Sequence, residues 1–261
     1  MTLEVRNLNY HDFKDFNITF ESNKSYSIIG NINCGSETLF RILTTSIMTS
    51  TNVFFNNICL DSETRFKYLS KIGVIKEVSH NSFIMDNVID ELSFSLKKLN
   101  IDKDEIKSRI SFYLKYFNLK IKTKKINELN NYEKQLMLVI MAFIHEPSII
   151  IMEDIVSNLK LDDYIKVNKL IRFFMDKGKL TVIKFFNNFD YVNHDDYLFI
   201  MNDYEIIKRG FKDELMIDDQ FLNKYGLRVP FMYDLSIKLK MYKLIDKVYL
   251  NMEDMVNDIW K

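Results

Sequence analysis

The sequence predicts an α/β fold: a mainly parallel core sheet with crossover helices, opened by an antiparallel β part and closed by a small helical domain. Three observations carry this expectation. Short apolar runs alternate with helical patterns of about ten or more residues, which is the signature of strands joined by helical crossovers. A glycine-bearing loop links one such strand directly to one such helix. Beyond residue 210 the helical pattern continues without further strands, punctuated by Gly226 and Pro230.

In order along the chain, TLEVRNL (2–8), FNITF (16–20) and SYSIIG (25–30) read as strands separated by polar turns. TLFRILTTSIM (38–48) follows with Leu39, Ile42, Leu43 and Ile47 at helical spacing. NVFFNNICL (52–60) reads as a strand pair and IGVI (72–75) as a second core strand; 86–118 reads as mostly helical. A helix from Tyr132 carries Leu136, Val139, Ile140, Phe143 and Ile144 on one face and stops at Pro147, before the buried strand SIIIM (148–152). A helix over 161–177, closed by Gly178, then leads to the strand LTVIKFF (180–186).

Composition narrows the function classes. Acidic and basic side chains balance at 36 each, so no global field draws the chain onto nucleic acid or an anionic membrane. The apolar stretch at 137–144 is far shorter than the ~18 residues a membrane span requires. Cys34 and Cys59 lack metal-ligand spacing, and no secretory or transit segment precedes the first apolar run. A reducing cytoplasm is therefore expected.

The loop GNINCGSET (30–38) has the glycine spacing of a phosphate-cradling loop, G-x-x-x-x-G-K-[ST], at Gly30 and Gly35. Ser36 stands where that pattern has lysine, and Glu37 where it has the magnesium-binding hydroxyl. Backbone N–H groups of the loop and the helix N-terminus would still point inward. A carboxylate about 4 Å from a polyphosphate costs ~1 kcal/mol even in water-like dielectric and several times more when partly buried. Glu37 is expected to cap its own helix and to compete with phosphate for the loop.

Further along, LNNYEKQLMLVIMAFIHEPSIIIMEDIVSNLK (129–160) resembles the signature helix and Walker B strand of ATP-binding cassette ATPases. KLTVIKFFNNFDYV (179–192) is similar to their switch strand, and NDYEIIKRG (202–210) to the turn and strand after it. LNKYGLRVPFMYDLSIKLK (222–240) resembles the C-terminal helical domain of ATPase subunits of energy-coupling factor (ECF) transporters, which import vitamins and metal ions. The resemblance spans essentially the whole chain. It implies a nucleotide-binding domain over 1–210, a helical subdomain over about 86–146, and a C-terminal helical domain over 211–261.

The resemblance also implies ATP and Mg²⁺ as cofactors, with Tyr10 stacking on adenine and Gly30, Asn33, Cys34, Gly35, Ser36, Glu37 and Thr38 forming the phosphate loop. Glu153 aligns with the magnesium-ligating carboxylate and Asp154 with the glutamate that polarises water. Asp154 is one methylene shorter, and positioning errors near 1 Å cost ~100-fold in rate. Glu77 takes the place of the Q-loop glutamine, and an ionised carboxylate cannot donate the amide's hydrogen bond. Asn187 takes the place of the switch histidine and cannot take up a proton. The signature keeps Glu133 but has Tyr132 where a glycine would allow close backbone approach.

By that resemblance the partners are a paralogous ATPase subunit, paired head to tail, and a transmembrane coupling subunit met through the groove around 76–94 at the cytoplasmic membrane face. No nucleic-acid partner is expected. Three readings stay open: an ECF-type subunit with impaired ATP binding and hydrolysis, an active ATPase using Lys76 or Lys134 as a substitute charge, and a non-catalytic scaffold. Cys34 reads as a small filler, His145 as a surface helix-end residue, and His80 and His194 as loop residues without ligand partners. KIKTKK (120–125) reads as a solvated loop, and Asp162 and Asp163 as first-turn acids of the helix that follows.

Overall fold

The computed structural model describes residues 1–48, 52–193, 195–216, 219–249 and 252–259; His194 lies outside them. Two sheets organise the chain. Strands β1 (Thr2–Tyr10) and β2 (Phe13–Glu21) pair antiparallel, and β4 (Val53–Phe55) and β5 (Ile58–Cys59) extend them in the order β2-β1-β4-β5. From Phe16 to Glu21 of β2 burial alternates residue by residue, because one face packs inward and the other meets water.

The core sheet has the order β10-β9-β3-β8-β7-β6, from β3 (Ser25–Gly30), β6 (Ile72–Ile75), β7 (Ile149–Met152), β8 (Thr181–Phe186), β9 (Tyr197–Asn202) and β10 (Glu205–Phe211). Five strands are parallel and β10 turns back antiparallel. Every residue of β3, β7 and β8 is buried, as a parallel sheet covered on both faces requires.

Helix α1 (Ser36–Leu43) follows β3, and α2 (Arg65–Leu69) precedes β6. The helical stretch read over 86–118 is two helices, α3 (Val88–Lys98) and α4 (Lys103–Tyr116). They part at Asp102, whose side chain caps α4 by accepting from the Asp104 N–H at 2.9 Å. Helix α5 (Asn131–Phe143) packs with them in one apolar cluster, and α6 (Leu161–Asp176) crosses over to β8. After β10 come α7 (Lys212–Met216), α8 (Asp219–Lys224), α9 (Phe231–Met241) and α10 (Met252–Ile259). Phe211, read as the start of the helical tail, is the last residue of β10. Among the described residues no helix is long and apolar enough to cross a membrane.

A buried polar cluster sits inside the core sheet. Lys184 on β8 donates to both carboxylate oxygens of Asp196 at 3.0 and 2.9 Å, and the two side chains are 2% and 1% exposed. Ser25 and Ser27 on β3 each donate to one oxygen of the same carboxylate at 2.5 Å. Asp196 thus fixes the far end of the loop that begins at Asn187.

Candidate functional site

The carboxyl ends of β3, β7 and β8, where open α/β sheets take their ligands, surround a cavity of about 420 Å³. Its first wall is the loop from Gly30 to Gly35. Gly30 has no room for a side chain, since a Cβ would come within 2.3 Å of Cys34 Sγ and 2.6 Å of the Met201 carbonyl. Asn33 stands where the phosphate-loop pattern tolerates glycine and holds φ at 68°, a left-handed conformation that asparagine accepts. Gly35, at φ 97°, is the N-cap of α1. The loop therefore keeps a cradle-like turn despite its changed side chains.

Asn33, Gly35, Ser36, Glu37 and Thr38 line the cavity from this side, Glu77 from the loop after β6, Glu153 and Asp154 from beyond β7, and Asn187 from beyond β8. Gly30, Cys34 and Tyr10 do not line it. Gly30 and Cys34 lie behind the loop, packed on each other, with Cys34 Sγ 3.3 Å from Ser36 Oγ. Tyr10 ends β1 opposite Phe13 and packs edge-on against His11, which holds its ring with the N-terminal sheet. The aromatic residues that line the cavity are Phe40, Phe185, Phe186 and Tyr204, the last of them in the β9–β10 turn. The Tyr204 N–H donates to the Cys34 carbonyl at 2.9 Å, and a Cβ on Gly35 would meet its ring at 2.7 Å. The Asp203–Tyr204 pair, both at positive φ, forms the tight turn of the β9–β10 hairpin.

Glu37 does not cap α1. The N-cap is Gly35 with no side-chain cap bond, and the Glu37 side chain is exposed at the cavity edge. It sits two positions inside the helix, whereas a capping side chain belongs to the residue flanking the first turn. The cavity thereby gathers four carboxylates, Glu37, Glu77, Glu153 and Asp154, and none of its lining residues is basic. Lys76 and Lys134, the candidates for a substitute charge, are not among them; Lys134 lines a neighbouring groove.

Burial raises the Glu153 carboxyl above its ordinary pKa and the charges of Glu77 and Glu37 push the same way, against the opposing pull of the Glu77 N–H and the Lys76 charge. The Glu77 N–H donates to Glu153 at 3.3 Å, and the Asn158 amide donates to the Glu77 carboxylate at 3.1 Å. Among the described residues, no three His, Cys, Asp or Glu side chains converge to hold a metal ion.

The N-terminus of α5, the signature position, is closed by its own side chains. Asn130 Oδ1 accepts from the Glu133 N–H at 2.8 Å, and the Glu133 carboxylate accepts from the Asn130 N–H at 3.0 Å, a capping box. Lys124 pairs with Glu133 at 2.8 Å, so this lysine of the expected solvated loop is anchored. The Tyr132 hydroxyl bonds to Asp163 on α6, and Lys160 stands 4.6 Å over its ring. Burial and the Asp163 carboxylate push the Tyr132 hydroxyl up to about 12. His145, expected at the surface, is half-buried; its Nε2 lies 2.9 Å from the Ile72 carbonyl, and burial lowers its pKa.

Beside the cavity, a groove of about 950 Å³ runs between the loop after β6 and the start of α5, lined by Phe83, Ile84, Met85, Ile126 and Lys134 among others. Its near wall is shaped by buried Glu91, which accepts the N–H groups of Ile84 and Met85 at 2.8 and 2.6 Å.

Solved structures share this arrangement of strands and helices. The chain superposes on cbiO1 from Clostridium perfringens, part of the ABC transporter complex cbiONQ, with a TM-score of 0.67, 22% identity, and 87% of this chain and 95% of that one covered. A dimeric bacterial ABC transporter cassette gives a TM-score of 0.70 at 17% identity, covering 80% of this chain and 98% of that one. The chain has the ATP-binding cassette fold. In sequence the cassette is 24% identical to the energy-coupling factor transporter ATP-binding protein EcfA1 of Oenococcus oeni, over 99% of this chain and 97% of that protein. It is 27% identical to EcfA1 of Mycoplasma mobile, over 95% and 89%. The cassette matches no protein-family model.

Proposed function

We propose that this chain is the ATP-binding subunit of an ECF-type membrane importer in which ATP binding and hydrolysis are impaired. The near full-length similarity to EcfA1 proteins supports the assembly. The observation that carries the impairment is the charge of the cavity: four carboxylates line the place where a polyphosphate would lie, and no lining residue is basic. The loop could offer its N–H groups and the hydroxyls of Ser36 and Thr38, but nothing lining it neutralises the outer phosphates. Mg²⁺ would fall to Glu153, and Asp154, Glu77 and Asn187 would occupy the catalytic positions. This donor set does not fit Mg-ATP.

On this reading residues 1–210 form the nucleotide-binding domain, with a helical subdomain over about 86–146, and residues 211–261 the C-terminal helical domain. The partners are a paralogous ATPase subunit and a transmembrane subunit docked in the groove at Phe83–Met85, at the cytoplasmic face. Vitamins or metal ions are the cargo class. A second reading, a non-catalytic scaffold, is favoured by one specific observation: the start of α5 already spends the Asn130 and Glu133 N–H groups on its own capping box. A phosphate held by the partner would have to displace those bonds.

Co-expression with the transmembrane subunit of an ECF-type transporter tests the assembly. The chain is expected to co-purify with it, and Ile84→Glu in the groove is expected to abolish capture. Retention of the chain unaffected by Mg-ATP favours the scaffold; no retention under either condition contradicts both readings.

A further inference from the structure

The helices after β10 contact two loops of the cavity at defined atoms. The Asn31 side-chain amide, in the phosphate loop, donates to the Tyr225 carbonyl, which lies just past the end of α8. Gly226 follows at φ 66°, and a Cβ there would lie 2.9 Å from the Asn31 amide nitrogen, so the contact requires glycine. On the opposite wall the Lys212 ammonium, from α7, donates to the carbonyls of Val192 and Phe189 at 2.9 and 3.3 Å, within the loop that starts at Asn187. Between the two grips, Leu222 and Leu227 share one apolar cluster with Ile29, immediately before the phosphate loop, and with Phe186 and Phe189, on either side of Asn187.

We infer that the C-terminal helices are a brace that positions the phosphate loop and the Asn187 loop relative to one another, with Asn31 and Lys212 as its positioning residues. The carbonyl at the end of a helix is one of those the helix leaves unpaired, and Asn31 supplies its donor. The Asn187 loop is held at two carbonyls by a single ammonium, and its far end is pinned separately by Asp196. Each loop is thus tied to the tail by a polar contact whose removal leaves the apolar cluster beneath it intact. The brace belongs to the chain itself and does not depend on whether nucleotide binds.

Hydrogen-exchange mass spectrometry of the full chain without nucleotide tests this. Asn31→Leu is expected to speed exchange at the Cys34 N–H, which bonds the Asn31 carbonyl at 3.1 Å, by about tenfold, the factor one ordinary hydrogen bond carries. Lys212→Met is expected to do the same at the Val192 N–H, and Lys212→Arg to restore protection. The β7 amides are expected to exchange at the natural rate in all three variants. Unchanged loops, a response in only one loop, or acceleration of the loops and β7 together would overturn the inference.

Discussion

Glu153 is the residue on which the cavity's charge bears most heavily. Its folded-state pKa lies above its unfolded value, through burial first and then the neighbouring charges of Glu77 and Glu37. The folded chain therefore holds a proton that the unfolded chain releases. Its contribution to stability is full below the unfolded value and is lost as pH rises through the folded one. Glu153→Gln removes that burden, so the variant is expected to melt above the natural chain at neutral pH, with the difference vanishing toward about pH 4. A thermal melt of both proteins across that range checks it. His145 runs in the opposite sense. Burial lowers its pKa, so the unfolded chain binds the proton more readily and stability falls as pH drops below about 6.5. Tyr10, Gly30 and Cys34 do not line the cavity; of the residues that do, the loop was legible from its glycine spacing, and Glu77, Glu153, Asp154 and Asn187 through the resemblance. Tyr204 and the exposed state of Glu37 were not, because a turn's reach and a side chain's escape to water depend on tertiary packing.

Among the elements, β8 holds the largest electrostatic stake. Lys184 and Asp196 are both almost wholly buried, with every carboxylate oxygen engaged by Lys184 and a serine hydroxyl. Lys184→Met leaves that carboxylate without its cation, and the expected loss is about 3–5 kcal/mol in urea unfolding. The run LTVIKFF gave no hint of this pair, since its partner sits twelve residues on, just before β9. Strand β9 itself was not read from the sequence, although YLFIMN is a mainly apolar run. Helix α5 was legible from its apolar spacing, but its capping box was not, although Asn130 and Glu133 stand three apart as such a box requires. Asn130→Ala removes the cap and is expected to cost about 1 kcal/mol by the same measurement.

At the scale of the whole molecule, the fold followed from strand–helix alternation, because burial of a parallel sheet on both faces forces continuous apolar runs that a sequence displays openly. The proposed assembly rests on similarity along nearly the whole chain. The charge of the central cavity belongs to this chain's own residues, drawn together from beyond three separate strands, β3, β6 and β7. The direct test is titration of the purified full chain with Mg-ATP beside a Ser36→Lys, Glu37→Ser variant, which restores one cation and removes one carboxylate. The account expects weak binding in the natural chain and a gain of at least about tenfold in the variant, from one unfavourable charge contact replaced by a favourable one. Tight binding in the natural chain that the double substitution leaves unchanged would contradict it.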